Sequence, residues 1–418
     1  MRCLDNQYRP TLELLEKRDL PSMAELSGHL LYITSTTAHD YITVSESNGR
    51  ISVQNTPIHV GSAKVSSVAA STVSKVVIYA YGGGDVINLR PSEATTVIKP
   101  TYIYAGGGHN LVYGGSASNY IVGGGGYNTL TGGASTDYIA GSATDTFHGG
   151  GGFDWFYRTI NTTHPFVNGE QVSDLRQGKA PSCQSDAALA EAVKQGFNFA
   201  NSIHYVGSGT YDVTLDGGHV RERVAFNGWY NSFDPVPAAA GEYWTILMYR
   251  ARLEKFGINP NVYYTPSQWD ALNRSTGSKL YSVANAISTF TGRAASFGPI
   301  TAPRVMATEL ARGDYLVATT PPGGGATSDG IIRDHSYAVM AIYYQNGMWK
   351  VRLYNPWGFD SIGGRTIEAL AGGTPQNRGF ITISWWQFIN SNNFQGVTHA
   401  SATAAQTAYF RSLSGTRE

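Results

Sequence analysis

The chain has 418 residues, with 30 lysines and arginines against 30 aspartates and glutamates, so its formal net charge is zero. This balance gives no support to a nucleic-acid partner or an anionic membrane surface. Charged residues make up 14% of the chain while glycine occurs 49 times, which is typical of a β-rich protein long enough for two domains. No apolar run approaches the roughly 20 residues of a membrane helix. The two cysteines, Cys3 and Cys183, are too few for a disulfide framework.

The first 27 residues are predicted to form a flexible leader. They lack the apolar core of a secretory signal peptide. Arg9-Pro10 and the run from Leu15 to Leu20 resemble the leader at the start of many large bacterial surface and secreted proteins. That resemblance implies an extracellular or cell-surface location, with association to the cell surface. A short polar helix or a disordered tail is the alternative interpretation.

Residues 28–158 are predicted to form an all-β solenoid. Apolar residues alternate in short runs such as Tyr41–Val44 and Val76–Tyr79, with Gly, Ser and Thr between them. From Ala105 onward an Asn or Asp recurs every nine residues, with one eight-residue step, at Asn110, Asn119, Asn128, Asp137, Asp145 and Asp154. Two residues after each of these Asn and Asp residues, the chain carries an apolar residue. Glycine turns with one inward apolar residue per half-coil are the pattern of a stacked solenoid.

This repeat resembles the Gly-Gly-x-Gly-x-Asp nonapeptides of the hemolysin-type (RTX) β-roll. In that family, carboxylates and turn carbonyls bind calcium between successive coils. The first three repeats here carry asparagine, which lacks the charge that calcium prefers. The resemblance therefore implies calcium at the last coils, through Asp137, Asp145 and Asp154. The alternative is that these side chains cap turns by bonding their own backbone, with no metal.

The composition changes after Tyr157, and a second domain is predicted over residues 165–400, followed by a tail at 401–418. Strong helix formers predict a helix over 185–195, and helical spacing of apolar residues predicts another over 242–256. Strands dominate from about Leu316. A helix-rich half is thus followed by a β-rich half, and a cleft between two such halves is a common place for an active site.

Cys183 directly precedes the first of these helices, with Ser182 as its predicted N-cap. A thiol at a helix N-terminus is close to the positive end of the helix dipole, and a nearby imidazolium would lower its pKa further. The expected result is a thiolate, the competent nucleophile. Gln177, six residues upstream, is placed to donate its amide to an oxyanion during attack.

His335 opens an apolar strand over 335–344, and the chain turns back into a second strand that ends before Asn355. A two-residue loop at Asn346-Gly347 would put His335 and Asn355 on opposite faces of the hairpin. A three-residue loop, pairing Tyr344 with Met348, would put them on one face. We predict the three-residue loop, because a Cys-His-Asn triad needs Asn355 to hold the imidazole.

Each of these residues alone is more often structural, and Asn355 before a proline also fits the start of a turn. In this order, and in these local settings, they predict a thiol hydrolase. Residues from about 174 to 390 resemble the calpain-type papain-like cysteine proteases. The stretches that carry the resemblance are Gln177-Gly178 with Cys183 and Ala187–Leu189, Tyr211–Leu215 with Val220–Val224, Glu242–Ala251, Asp334–Val339, Val351–Gly358 and Phe380–Phe388.

The resemblance implies a role for each matching residue. Cys183 would be the nucleophile, His335 the general base and acid, and Asn355 the residue that orients His335. Gln177 would complete the oxyanion hole, and Trp357 would shield the Asn–His contact from water. The sequence departs from the family where Gln184 replaces the Trp after the nucleophile and where Pro181-Ser182 replaces Gly-Asp. These departures put full activity in doubt.

The fold class expected from these observations is multidomain, an N-terminal solenoid or β-roll followed by an α+β papain-like protease domain. The expected function is a cysteine endopeptidase that hydrolyses protein or peptide substrates through a Cys183 thioester, with no cofactor in the chemical step. One alternative is a catalytically impaired calpain-like surface protein that acts as a binding or structural module. Another makes the roll the functional part, binding cell-wall glycans or calcium, while the protease processes its own chain.

Overall fold

In a computed structural model of the chain, the described residues are 23–142, 144–158, 163–167, 169–235, 242–357, 361–362, 365–366 and 379–404. The chain divides into two units, Met1–Tyr157 and Arg158–Glu418. Both contain large sheets, and helices occur in the second, so the protein is a multidomain mixed α/β structure with a β-rich first unit. Within the described residues, no helix is both long enough and apolar enough to cross a membrane.

The first unit consists of short strands joined by tight turns. The strands are β1 (Met23–Ser27), β2 (Leu30–Thr34), β3 (Tyr41–Ser47), β4 (Arg50–Val53), β5 (Ile58–Val60), β6 (Ala63–Val65), β7 (Val68–Ala69), β8 (Lys75–Tyr79), β9 (Val86–Asn88), β10 (Thr101–Tyr104), β11 (Leu111–Tyr113), β12 (Asn119–Val122), β13 (Thr129–Thr131), β14 (Tyr138–Gly141), β15 (Thr146–His148) and β16 (Trp155–Arg158). The predicted leader is wrong in its last five residues, because Met23–Ser27 pairs with β2. Its first 22 residues lie outside the described part of the chain.

From β8 to β15, successive strands of this unit alternate between two sheets and pair in parallel within each, so the chain coils. One sheet runs β2-β8-β10-β12-β14 and the other β3-β9-β11-β13-β15. Each coil contributes one apolar side chain per sheet to a thin core between them. In the first sheet these are Ile33, Ile78, Ile103, Ile121 and Ile139, all fully buried. Stacking these side chains removes from water an apolar surface that no single coil could bury alone.

The repeating Asn and Asp side chains form hydrogen-bonded ladders inside the roll. The Asn110 N–H donates to Asn128 Oδ1 at 3.0 Å, and the Asn128 N–H donates to Asp145 Oδ1 at 2.8 Å. In the second ladder, the Asn119 N–H donates to Asp137 Oδ1 at 2.7 Å. Each buried side chain therefore pairs a backbone group of the adjacent coil, which would otherwise be left without a partner.

The eight-residue step is absorbed in the turn before Asp145. Ladder partners are 18 residues apart before this step and 17 apart across it. The Ser142 N–H closes the shortened turn by donating to Asp145 Oδ2 at 2.8 Å. Glycine is required where turns stack, since a Cβ on Gly124 would lie 2.0 Å from the Gly106 carbonyl oxygen. The strand registers continue through the irregular repeat because only the turn changes length.

Tyrosines occupy outward positions of the first sheet. Tyr102 lies in register with Tyr120, which lies in register with Tyr138. Beside them the Tyr79 and Tyr104 rings stack with centroids 5.0 Å apart and planes 7° apart. In-register strands place like residues side by side along a sheet, so one tyrosine per coil becomes a column.

The second unit contains six described helices and several sheets. The helices are α1 (Cys183–Lys194), α2 (Trp244–Lys255), α3 (Pro266–Ser275), α4 (Val283–Thr291), α5 (Pro303–Ala311) and α6 (Trp385–Phe388). The strands are β17 (Ile203–Gly207), β18 (Thr210–Leu215), β19 (Val220–Ala225), β20 (Trp229–Asn231), β21 (Ser296–Gly298), β22 (Tyr315–Thr319), β23 (Ser336–Gln345), β24 (Met348–Tyr354), β25 (Ser361–Ile362), β26 (Arg365–Thr366), β27 (Phe380–Ser384) and β28 (Gly396–Ala400). The helix predicted over 185–195 begins two residues earlier, so Cys183 is its first residue.

An antiparallel sheet with the order β21-β28-β22-β23-β24-β27 dominates this unit. Helix α1 packs on β22 and β23, and α5 also packs on β23. Three hydrogen-bonded strands, β17-β18-β19, pack against α2. The core under the large sheet includes Leu316, Val339, Leu353, Ile381 and Phe388, each at most 1% exposed. This packing fixes the N-terminus of α1 against the start of β23.

The predicted three-residue loop between β23 and β24 is wrong. Gln345 pairs with Met348, so the loop has two residues, and Asn346 and Gly347 both have positive φ, at 50° and 79°. This is the turn that an Asn-Gly pair favours in a tight hairpin. The one-residue shift in strand register that was expected at the turn occurs within β23 instead. Val339 pairs with Leu353 and Ala341 with Arg352, so Met340 is an extra, bulged residue.

The bulge brings Asn355 onto the face of the hairpin that carries His335. In the register of the turn, Asn355 would fall opposite residue 338 and point away from the His335 face. Beyond the bulge the register shifts by one, and Asn355 comes onto the same face as His335. Bulges re-aim side chains in this way because they insert one residue into only one of two paired strands.

We expect Asn128→Ala to loosen the roll locally. The substitution removes the acceptor of the Asn110 N–H and a donor to Asp145, leaving buried polar groups without partners. Such losses cost about 1–3 kcal/mol. Hydrogen exchange measured by mass spectrometry should show faster exchange in peptides covering β11 to β15. Tyr127→Ala, at a 63% exposed neighbour, is the matched control and should leave exchange near wild type. Equal exchange in both variants would contradict the structural role of the ladder.

Candidate active site

Cys183, His335 and Asn355 come from three elements that meet at one edge of the large sheet. Cys183 is the first residue of α1, His335 precedes β23, and Asn355 follows β24. All three are buried, with exposures of 4%, 3% and 0%. The backbone N–H of Ser336, the residue after His335, lies within hydrogen-bonding reach of the Cys183 sulfur. The structure therefore brings the three predicted residues into one region.

His335 is held by its backbone and by its ring. Its N–H donates to Thr320 Oγ1 at 2.8 Å, and its carbonyl accepts from the Thr320 N–H at 3.0 Å. Its Nε2 lies 2.8 Å from Asn355 Oδ1. Because Asn355 Oδ1 also accepts the Trp357 N–H, this oxygen acts as an acceptor, and Nε2 of His335 carries the proton. In the neutral ring, Nδ1 is then the basic nitrogen.

Aromatic rings surround this pair. The Trp357 ring centroid lies 4.9 Å from that of His335, and the Tyr337 ring meets His335 edge-on at 5.0 Å. Their apolar surface keeps water from the Asn355–His335 bond, which strengthens the bond by lowering the local dielectric.

Gln177 reaches the same region by its backbone. Its N–H donates to the Pro356 carbonyl at 2.8 Å, which ties the segment before α1 to the loop that follows Asn355. Its side-chain amide nitrogen donates to the Ala180 carbonyl at 2.7 Å. An amide has two hydrogens, so this bond leaves a second one for another acceptor. Gln177 Oε1 is buried without a hydrogen-bond partner.

The predicted thiolate is wrong for this structure. Burial raises the pKa of Cys183 to about 12, with the Asp186 and Asp334 carboxylates raising it further and the Ser336 N–H only partly opposing this. Burial also lowers the pKa of His335 to about 4, although its bond to Asn355 opposes that shift. Both shifts favour the uncharged form, so at neutral pH the thiol and the imidazole are neutral. The cost of burying charge exceeds the gain from the helix dipole.

Ser182 occupies the N-cap position of α1, but its hydroxyl does not cap the helix. It donates instead to Asp186 Oδ2 at 2.7 Å. Asp186 is fully buried, and that burial raises its pKa to about 7. The Ser182 side chain is therefore directed at Asp186 and makes no hydrogen bond with the N–H groups of the first turn.

A buried arginine that was not predicted from the sequence holds α1 in place through hydrogen bonds. Arg252 in α2 is 1% exposed and donates to Ser185 Oγ in α1 at 2.9 Å. It also donates to the carbonyls of Lys279 at 2.8 Å and Leu280 at 3.1 Å. The guanidinium therefore connects α1 to the segment that leads into α4. Its one signal in the sequence is a charged residue between two apolar ones, Ala251 and Leu253.

A cavity of about 220 Å³ lies beside His335. It is lined by the residue after Cys183, by the segment to which Arg252 bonds, and by the strand ends around His335. The lining residues are Gln184, Tyr281, Ser282, Val283, Ala284, Phe297, Thr319, Thr320, Asp334, His335, Ser336 and Thr398. A cavity of this size is several times the roughly 30 Å³ of a water molecule in the liquid, and it can hold a side chain.

The residues predicted to bind calcium lie in the two ladders of the roll. Asp137 belongs to one ladder with Asp154, and Asp145 belongs to the other. Both oxygens of Asp137 accept N–H donors, from Asn119 and Gly133, and burial raises its pKa to about 6. Carboxylates paired in this way do not fit a calcium site as they stand. Calcium would have to replace these bonds, and its binding at the last coils stays a prediction.

Another possible metal-ligand group lies in the second unit. Among the described residues, Glu309, Asp314 and His399 have ligand atoms within 4.8 Å of one another. However, Asp314 Oδ2 accepts from the Arg312 guanidinium at 2.6 Å and lies 3.0 Å from His399 Nε2. These bonds, led by Arg312, hold the pKa of Asp314 below its usual value although burial would raise it. The arginine already supplies the positive charge that a metal ion would bring.

Comparison with protein-family models gives no match for this chain, and comparison with curated proteins gives none. The arguments on function therefore rest on the residues and the geometry of the site.

We expect Cys183 to react as a neutral thiol. Because its pKa is raised to about 12, the thiolate fraction should rise about tenfold per pH unit between pH 6 and 9. The rate of alkylation by iodoacetamide, followed by mass spectrometry of the peptide that contains Cys183, should rise in parallel. A pH-independent rate across this range would indicate a preformed thiolate and contradict the neutral pair. Cys183→Ala shows which label belongs to this residue.

Proposed function

We propose that the second unit is a cysteine endopeptidase of the calpain-type papain-like class. The observation that carries this proposal is the 2.8 Å contact between His335 Nε2 and Asn355 Oδ1 at the edge of the sheet on which α1 presents Cys183. The contact leaves Nδ1 of the ring as the base. An asparagine in this position orients an imidazole without adding a charge to the site, as a thiol protease requires.

The chemical step would begin with the Cys183 thiol giving its proton to His335 Nδ1 as the sulfur attacks a peptide carbonyl. The oxyanion would accept hydrogen bonds from the Cys183 N–H and the second amide hydrogen of Gln177. Such donors contribute about 3 kcal/mol each to the transition state. The protonated His335 would then give its proton to the leaving amine, which leaves a Cys183 thioester. Water, deprotonated by His335, would release the acid and regenerate the thiol.

The roll would serve as a calcium-dependent folding or attachment element on an extracellular or cell-surface protein. This part of the proposal rests on the repeat spacing and on the resemblance of residues 1–27 to bacterial surface-protein leaders. The chemical step itself calls for no cofactor, because thiol and imidazole supply nucleophile and base.

A second candidate is a binding module with an impaired catalytic site. The observation that favours it is the neutral, deeply buried Cys183–His335 region, since burial holds the thiol pKa at about 12. Gln184 in place of the Trp expected after the nucleophile also favours it. The complete set of Gln177, Cys183, His335 and Asn355 favours the enzyme, because binding alone has no need for a base with an oriented ring.

The two candidates differ in covalent chemistry. Purified protein treated with an epoxide inhibitor of the E-64 type should be labelled at Cys183, should not be labelled in Cys183→Ala, and should be labelled normally in Cys3→Ala. The wild type and Cys3→Ala should cleave fluorescent casein, and Cys183→Ala should not. Loss of cleavage under chelator would connect calcium to the activity. A folded protein that is neither labelled nor active would overturn the protease in favour of the binding module.

We expect Asn355→Ala to lower kcat for peptide hydrolysis by about 10²-fold, within the range of a general acid–base contribution. The substitution removes the acceptor that fixes the tautomer and the orientation of the His335 ring. KM should change little. Asn346→Gly, in the exposed turn of the same hairpin, keeps its positive φ and should retain full activity. Equal rates for both variants would rule out an orienting role for Asn355.

A further inference from the structure

The outer face of the first sheet holds tyrosines in directly paired positions of neighbouring strands. Tyr79 of β8 is the register partner of Tyr104 of β10, and Tyr102 of β10 is the partner of Tyr120 of β12. The ring centroids are 5.0 Å apart in the first pair and 5.5 Å apart in the second. Neighbouring strands of a sheet lie about 4.8 Å apart, so pairing in register keeps the two rings of each pair at this distance.

These rings lie on the outward side of the sheet. The side chain of Tyr79 is exposed, and those of Tyr102, Tyr104 and Tyr120 are half-buried. Ile103, between two of them in the chain, points inward and is fully buried in the core of the roll. Each tyrosine pair can therefore be reached from solvent, while the paired strands hold its two rings together.

The phenol groups are close enough to influence one another. Burial raises the pKa of Tyr104, and the nearby phenols of Tyr79, Tyr120 and Tyr102 raise it further. Tyr104 is therefore protonated at neutral pH, and its one-electron oxidation releases a proton together with the electron. The product of this oxidation is an uncharged phenoxyl radical, next to a ring that can form the same radical.

A charged neighbour distinguishes the two pairs. The Lys75 ammonium lies 4.0 Å from the centroid of the Tyr102 ring. A cation over an aromatic face is attracted by the electrons of the ring, so removing an electron from that ring becomes less favourable. Among the described residues, no cation lies over the ring of Tyr79 or Tyr104. The Tyr79–Tyr104 pair is therefore the easier of the two to oxidise.

We propose that the Tyr79–Tyr104 pair is a modification site, at which oxidation joins two neighbouring coils of the roll by a dityrosine bond. The oxidant is hydrogen peroxide acting through a haem peroxidase. Each phenol gives up one electron and one proton, and together these reduce one peroxide to two water molecules. A carbon–carbon bond forms between Cε of one ring and Cε of the other. The hydrogen on each coupled carbon then moves to the phenol oxygen, which restores both phenols.

The paired strands favour coupling within one molecule. In every copy of the chain, a radical on Tyr79 has Tyr104 beside it, which corresponds to a high effective concentration of the second ring. Tyr127 is exposed as well, but its ring contacts His109 instead of a tyrosine, so its coupling depends on a second molecule. The dityrosine bond closes a loop of chain between β8 and β10, and such cross-links stabilise a fold by restricting the unfolded chain.

Treatment of the full-length protein with a haem peroxidase and hydrogen peroxide tests this proposal independently of the protease, because the site lies in the first unit. Cleavage after lysine and arginine and before aspartate releases peptides 76–84 and 85–136, since Arg90 and Lys99 precede prolines and are not cut. Mass spectrometry should find these two peptides joined, with the loss of two hydrogens. The yield should stay constant over about a hundredfold dilution of the protein. Absence of the joined peptides, or a yield that falls in proportion to concentration, would overturn the proposal.

Two tyrosines of peptide 76–84 provide a matched pair of variants. Tyr79→Phe should abolish the joined peptides, because phenylalanine keeps the ring but has no phenol to oxidise. Tyr81→Phe should leave their yield unchanged. Tyr81 is 46% exposed against 37% for Tyr79, so access of the oxidant to the two side chains is comparable. Joined peptides that persist in Tyr79→Phe would show that another tyrosine is coupled and contradict the assigned pair.

Lys75→Met tests the effect of the ammonium on the second pair. Coupling of Tyr102 with Tyr120 appears as the loss of two hydrogens within peptide 85–136, and Tyr120→Phe should remove this product. It should be the minor product in the wild type and should increase about threefold or more in Lys75→Met, because methionine keeps the length of the side chain without its charge. An unchanged ratio of the two products would rule out the protective effect of Lys75.

Discussion

The contact between His335 and Asn355 depends on the register of one hairpin. Asn346-Gly347 closes the turn in a two-residue loop, and this register alone would point Asn355 away from the imidazole. The bulged Met340 shifts the pairing by one residue before the strands reach the site. Three residues then hold His335. Thr320 accepts its backbone N–H, Asn355 bonds to its Nε2, and Trp357 packs against its ring. A single inserted residue therefore determines whether Asn355 faces His335.

Burial protects the site and also suppresses its charges. The packing of α1 on β23 that brings Cys183 to the strand also keeps water from the thiol and the imidazole. A thiolate–imidazolium pair in such surroundings would lose its hydration with only one partner each in return. The neutral thiol and the neutral imidazole are therefore the favoured forms in this structure. Buried Asp186, in the first turn of α1, adds to this preference, because its negative form raises the thiol pKa.

The sequence predicted the parts of the structure that repeat or follow local rules. Glycine spacing and the recurring Asn and Asp residues predicted the coils. Cys183, His335 and Asn355 were predicted from their order and local settings, and the structure places them in one region. The predicted loop length was wrong. The type of turn depends on the two residues in the loop, whereas the face of the sheet on which His335 lies depends on the register of the whole hairpin. The thiol pKa was wrong because burial is a tertiary property. Arg252 was missed for the same reason, since its partners at Ser185 and Leu280 lie far away in the chain.

The first unit, unlike the second, contains stacked repeats, and their number sets its length. Each coil of the repeat bonds to its neighbours through ladders whose partners are 17 or 18 residues apart. Removing or adding 18 residues would leave the remaining contacts intact and change the length by one strand spacing, about 4.8 Å. Asp145 shows that even a lost residue is tolerated when the turn absorbs it. The length of the roll is therefore an adjustable dimension, and each added coil of this pattern would lengthen the column of tyrosines by one ring.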